Sequence, residues 1–168
     1  MNIKQAKYTK QELLKKILKT KNLFWTMWGK AIAKELYLEA FNAIPLEKHT
    51  KINMAEDVLL YYPMLNLTNN IFYLNKILYN YQVNNFSISN LKTLENIKKI
   101  LLEQDDVVLL LKSIHNKYTF NLPLLVLIDY FLSIEKYKIL NIETYFYPKF
   151  LIFFKKLKFK FYRLLPMS

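Results

Sequence analysis

The sequence predicts a mainly α-helical chain with a few short strands, an α+β fold, on three observations. Several windows space their apolar residues at i, i+3 and i+4. Only two short runs combine β-branched and aromatic residues as strands do. A single glycine, Gly29, serves all 168 residues. Thr9 to Thr20 is predicted helical, with Thr9 at the cap, Glu12 at the capping-box position and Leu13, Leu14, Ile17 and Leu18 on one face. Leu23 to Trp28 is an aromatic run closed by Gly29, and Lys30 to Phe41 is a second helix, stopped before Pro45. Leu46 to Met54 is polar and loop-like. Ala55 to Leu67 is a third helix, which Pro63 kinks or ends early. After a turn at Asn69-Asn70, Ile71 to Asn75 and Ile77 to Val83 read as two strands, and Asn84 to Asn90 as a loop. Leu91 to about Asn116 is helical with a break near Asp105-Asp106, and Leu122 to about Ile139 is helical with Pro123 in its first turn. Without internal repeats or a linker, residues 1–147 form one domain, followed by a basic aromatic tail at 148–168. So few short strands do not make a free-standing sheet; they are better accounted for as the edge of a larger one.

Composition excludes several function classes. Aromatics at 16% and charged residues at 23% are the wrong balance for disorder. The absence of cysteine removes disulfides, thiolate zinc sites and a cysteine nucleophile. One glycine cannot build GxGxxG or GxxxxGK[ST], whose backbones must approach phosphate closely or adopt positive φ. A self-contained dinucleotide or P-loop domain is therefore excluded. His49 and His115, the only histidines, lie far apart in sequence, so no metal site is assigned. Asp105-Asp106 falls inside a helical pattern and reads as a solvated face.

Met1 to Lys21 carries seven lysines and one Glu and lacks the apolar core of a signal peptide. The longest apolar-rich run, Leu122 to Ile134, is interrupted by Asp129 and too short for roughly 30 Å of hydrocarbon. The expected location is cytoplasmic, peripheral on the inner face of the cell membrane. The net charge of +12 attracts either nucleic acid or anionic lipid. Lys149, Lys155, Lys156, Lys158, Lys160 and Arg163 stand in the tail with no acid, interleaved with Phe150, Phe153, Phe154, Leu157, Phe159 and Phe161. Lysines beside large apolar groups fit a membrane interface, with Lys155, Lys156, Lys158, Lys160 and Arg163 as the lipid contacts. The alternation from Lys156 to Phe161 fits period 2 as well as 3.6, and the same aromatics would also serve to pack on the core. Nucleic acid is disfavoured, because Arg163 is the only arginine and arginine is the preferred reader of base edges and phosphate.

The chemistry-bearing stretch runs from Phe24 to Ser89. It begins Phe24-Trp25-Thr26-Met27-Trp28-Gly29-Lys30 and reaches Asn53-Met54-Ala55-Glu56-Asp57-Val58. It closes with Leu78-Tyr79-Asn80-Tyr81-Gln82-Val83-Asn84-Asn85-Phe86-Ser87-Ile88-Ser89. This order resembles the C-terminal half of family 2 glycosyltransferases, the inverting GT-A enzymes of bacterial surface-polysaccharide assembly. There a W-x-K segment precedes a helix, an E-D pair opens the next helix, and a strand pair ends in Y-x-Y-x-x-N…S-x-S. The resemblance covers about residues 22 to 90. It implies that Asp57 is the general base, that Glu56 assists acceptor binding or positions the loop, and that Trp28, Lys30, Tyr79, Tyr81 and Asn84 bind substrate. Gln82 stands where family members often carry a basic residue, which argues against a phosphate contact there.

The pair makes chemical sense by itself. Inverting transfer is a single displacement in which the acceptor hydroxyl loses its proton as it attacks the anomeric carbon, and a carboxylate within hydrogen-bond reach is the natural base. A helix N-terminus orients that carboxylate and favours its ionised form. Taken without their flanking landmarks, the same two acids would simply complement a helix dipole. The resemblance further implies a nucleotide-sugar donor held with Mg²⁺ or Mn²⁺ by a D-x-D motif on an N-terminal α/β half. This sequence has no D-x-D and no preceding parallel strands. The chain is therefore expected to be inactive alone and to need a separate donor-binding half, with a saccharide or lipid-linked acceptor as its substrate. The competing reading is a non-enzymatic helical module at an anionic membrane surface.

Overall fold

A computed structural model describes residues 6–45, 52–53, 55–74, 79–80, 82, 93–142 and 149–164. The protein is mostly helical with a small two-stranded sheet. In chain order the described elements are β1 (Ala6–Thr9), α1 (Lys10–Thr20), α2 (Lys34–Asn42), α3 (Glu56–Leu67), β2 (Asn70–Tyr73), α4 (Leu94–Tyr118), α5 (Leu122–Ile142) and α6 (Lys149–Tyr162).

α1 starts as its sequence dictates. The Thr9 hydroxyl accepts the Glu12 N–H, and the Glu12 carboxylate reaches back to the Thr9 N–H at 2.8 Å, closing a capping box. Those hydrogen bonds hold the exposed Glu12 carboxyl below its ordinary pKa. β1, just before the cap, was not expected. It pairs antiparallel with β2 in the register Ala6↔Tyr73 to Thr9↔Asn70. Four residues, Ala6-Lys7-Tyr8-Thr9, give no readable alternation, so only the partner strand reveals it. Of the expected strand Ile77–Val83, most lies outside the described residues; Tyr79, Asn80 and Gln82, which are described, are not in a strand.

α5 is the centre of the molecule. It is apolar nearly all round, as a helix enclosed by others must be. Leu124, Leu127, Ile128 and Leu132 are almost wholly buried, and α1, α3, α4 and α6 all pack on it. The core joins Ile17 and Leu18 of α1, Val58 and Tyr62 of α3, Val107, Leu111 and Ile114 of α4, and Phe159 of α6.

Two expectations are corrected and a third is narrowed. α4 runs unbroken through Asp105-Asp106, because its buried stripe of Ile100, Gln104, Val107, Leu111 and Ile114 keeps helical period. Asp105 lies outside that stripe and is ion-paired with Lys136 of α5. α3 reaches Leu67 as expected, so Pro63 does not end it early; Pro63 forfeits one backbone bond and is buried among core residues. α2 starts at Lys34, not Lys30. Gly29 takes a left-handed φ of +74°, and Lys30 is tied to the preceding turn, its ammonium donating to the Thr26 carbonyl. The tail is α-helical over Lys149–Tyr162, which settles its period as 3.6.

Candidate active site

Segments far apart in sequence meet at the N-terminus of α3. Glu56 and Asp57 form its first turn, where four backbone N–H groups lack intrahelical partners and a carboxylate is favoured. The residue before them, Ala55, sits in the left-handed region at φ 61° and ψ 19°. This conformation is uncommon for a residue with a Cβ, and it turns the chain sharply into the helix.

Asp57 is half-buried. Its Oδ2 accepts the backbone N–H of Met27 at 3.1 Å. Among the described residues, Oδ1 has no hydrogen-bond partner. Met27 directly precedes Trp28, so this one bond fixes the aromatic loop to the acidic helix start. The Trp28 ring stacks on Tyr79, with centroids 5.5 Å apart and planes 24° from parallel. Both rings are about half exposed. Lys30 arrives from the same loop, its ammonium 5.7 Å from the centre of the Tyr61 ring. Burial of that ammonium lowers its pKa below the usual lysine value, and the neighbouring Asp57 carboxylate pulls it partly back. Tyr61 is buried beneath it, and loss of solvation raises its phenol well above the ordinary value.

Glu56 has a different environment from its neighbour. Desolvation raises its pKa above the ordinary carboxylate value, and the nearby Asp57 and Glu103 carboxylates push the same way. Glu103 is the residue that sequence reasoning missed. It projects from α4 and is buried, and its Oε2 accepts the Asn53 N–H at 3.0 Å. Asn53 lies in the loop entering α3, so Glu103 fixes the approach to the acidic pair. The signal was present: an acid occupies a register position between Ile100 and Val107, where the helix otherwise buries apolar groups.

The structure thus brings Trp28, Lys30, Glu56, Asp57 and Tyr79 into one neighbourhood. Tyr81 and Asn84 lie outside the described residues. Lys155 does not stand with the other tail lysines. It points to α5, where it donates to Asp129 Oδ1 at 2.8 Å and to Ser133 Oγ at 2.7 Å. Its expected role as a lipid contact is therefore corrected to an internal tie. Lys156, Lys158, Lys160 and Arg163 are exposed. Among the described residues, no three His, Asp or Glu side chains gather as a metal site. A concavity lined by Asn42, Ile44, Ser113, Ile114 and Lys117 contains none of the candidate site residues. No protein-family model, curated protein or solved structure matches the chain.

Proposed function

We propose that this chain carries the acceptor side of an inverting family 2 GT-A glycosyltransferase, of the class that passes a sugar from a nucleotide-sugar to a growing surface polysaccharide or glycolipid. The observation that carries the proposal is the convergence of the three landmarks: Met27 bonded to Asp57, with the adjoining Trp28 stacked on Tyr79.

On this reading Asp57 is the general base. The Met27 N–H fixes Oδ2 and leaves Oδ1 to take a proton. The acceptor hydroxyl gives that proton to Oδ1 as its oxygen attacks the anomeric carbon. The bond to the nucleotide diphosphate breaks on the opposite face, and configuration inverts. A base of this kind contributes a factor of roughly 10² to 10⁴. The exposed Trp28–Tyr79 pair offers an aromatic plane on which an acceptor sugar ring stacks. Lys30 is a cation held beside the base. Glu56, whose pKa desolvation raises above the ordinary carboxylate value, serves the acceptor as a hydrogen-bond partner.

The donor side is not built from these residues. With no D-x-D motif in the 168 residues, they do not fit the family's divalent metal, and no step is assigned to one. On this reading the nucleotide-sugar site belongs to an N-terminal α/β half, and transfer needs that half. Mixing the protein with a separately expressed GT-A donor half tests the proposal. Radiolabelled sugar is expected to pass from nucleotide-sugar to saccharide acceptor only in the mixture, and Asp57→Ala is expected to abolish transfer. No transfer in the mixture, or transfer that survives Asp57→Ala, contradicts the proposal.

A further inference from the structure

α6 presents two faces with different chemistry. At about 100° per residue, Ile152, Lys155, Phe159 and Tyr162 fall on one side. This is the side packed on α5, with Phe159 wholly buried. Phe150, Phe153, Phe154, Leu157 and Phe161 fall on the other side, within an arc of roughly 100°. Four of these five are aromatic, and each is between 43% and 63% exposed. A contiguous row of bare phenylalanines is unusual on a protein surface and marks a contact site. Lys149, Lys156 and Lys160 border the row on one side and Lys158 on the other, all exposed. No acid occurs anywhere in α6.

We propose that this outer face lies flat in the surface of an anionic lipid bilayer. Phe150, Phe153, Phe154, Leu157 and Phe161 enter the acyl boundary, and the bordering lysines reach the lipid phosphates. The arrangement meets both demands of such a surface at once, an apolar stripe and cations along its edges. A second copy of the chain is a poor occupant, because face-to-face pairing sets one lysine border against the other. A nucleic acid has no use for a row of exposed phenylalanines, and Arg163 is the one arginine among the cations beside it. No helix among the described residues is long and apolar enough to cross a membrane, so α6 rests on the bilayer. Lys155 takes no part, being engaged by Asp129 and Ser133.

Co-sedimentation of the full chain with vesicles tests it. The protein is expected to pellet with phosphatidylcholine vesicles containing phosphatidylglycerol and to remain in the supernatant with phosphatidylcholine alone. Replacing Lys156, Lys158 and Lys160 by Gln lowers the partition coefficient by roughly a hundredfold. Phe153→Ser with Phe154→Ser lowers it by about as much. Replacing Lys15, Lys34 and Lys112, exposed elsewhere, by Gln leaves it within about threefold, since those side chains stand away from the apolar stripe. Because the substituted side chains are exposed, thermal unfolding should be unchanged in every variant. The chain has no cysteine, so a fluorophore on Phe154→Cys reads insertion directly. Its emission should shift to the blue on anionic vesicles, and a label on Lys15→Cys should not shift. Equal binding to neutral vesicles, no binding to anionic ones, equal loss from the control lysines, or pelleting without vesicles would overturn the proposal.

Discussion

Two adjacent carboxyl groups at the start of α3 differ in what surrounds them, and the surroundings of Glu56 make stability depend on pH. Glu56 is raised above its ordinary value of 4.5 by desolvation and by its acidic neighbours. An acid whose pKa is higher in the folded than in the unfolded state binds protons preferentially when folded. Stability therefore falls as pH rises from 4.5 through the folded value and is level beyond it. Glu56→Gln removes that penalty. The variant should melt at a higher temperature than the parent at pH 7, the gain shrinking on acidification and vanishing below about pH 4. A difference in Tm that stays constant across this range would contradict the assigned environment. Ala55 next to it adopts a backbone conformation that costs a residue with a Cβ roughly 1–2 kcal/mol. Ala55→Gly should raise the unfolding free energy by about 1 kcal/mol in denaturant titrations, and a loss of stability would count against strain at that position. Neither feature is visible in sequence. Glu-Asp at a helix start is legible as a motif. The left-handed Ala55 and the Glu103 carboxylate behind the loop depend on a helix that begins nearly forty residues later.

At the scale of elements, α3 is pinned at both ends by polar contacts that apolar periodicity does not report. At its start, Asp57 accepts the Met27 N–H. At its end the buried Asn66 donates from Nδ2 to the Tyr62 carbonyl and accepts the Asn121 N–H on Oδ1, each at 2.7 Å. Asn121 in turn caps α5, its Oδ1 accepting the Leu124 N–H at 2.9 Å. Asn66→Ala leaves the buried Asn121 N–H unpaired and is expected to cost about 2–3 kcal/mol of unfolding free energy in urea titrations. A cost under about 0.5 kcal/mol, the range of ordinary surface substitutions, would show that the network is not structural. The helices themselves were legible: the capping box at Thr9 and Glu12, the apolar face of α1, and the long apolar run of α5 each lie where the pattern put them. The errors have local causes. Asp105-Asp106 reads as a break because two adjacent acids are poor helix formers, yet the stripe from Ile100 to Ile114 outweighs them. Lys30 has helical propensity, but its ammonium is drawn back to the Thr26 carbonyl, which delays α2 to Lys34. β1 exists only through its pairing with β2, sixty residues away.

For the whole molecule, the exposed aromatic features that carry the functional argument are the Trp28–Tyr79 pair and the row of phenylalanines on α6. Each was partly legible. The Trp-x-Lys and Glu-Asp segments could be recognised as separate landmarks, but their meeting through Met27 required three dimensions. The tail could be recognised as basic and aromatic, but its division into an inner face, with Lys155 bonded to Asp129, and an outer face required the position of α5. On the proposed function, these 168 residues supply the base and the acceptor platform, and catalysis needs a donor half beside them. The most direct measurement is the turnover of that reconstituted transferase with Asp57→Asn, which keeps the shape of the side chain and an acceptor for the Met27 N–H while removing the base. The account predicts kcat lower by roughly 10² to 10⁴ with acceptor KM little changed. An Asp57→Asn protein that turns over at the rate of the parent would contradict it.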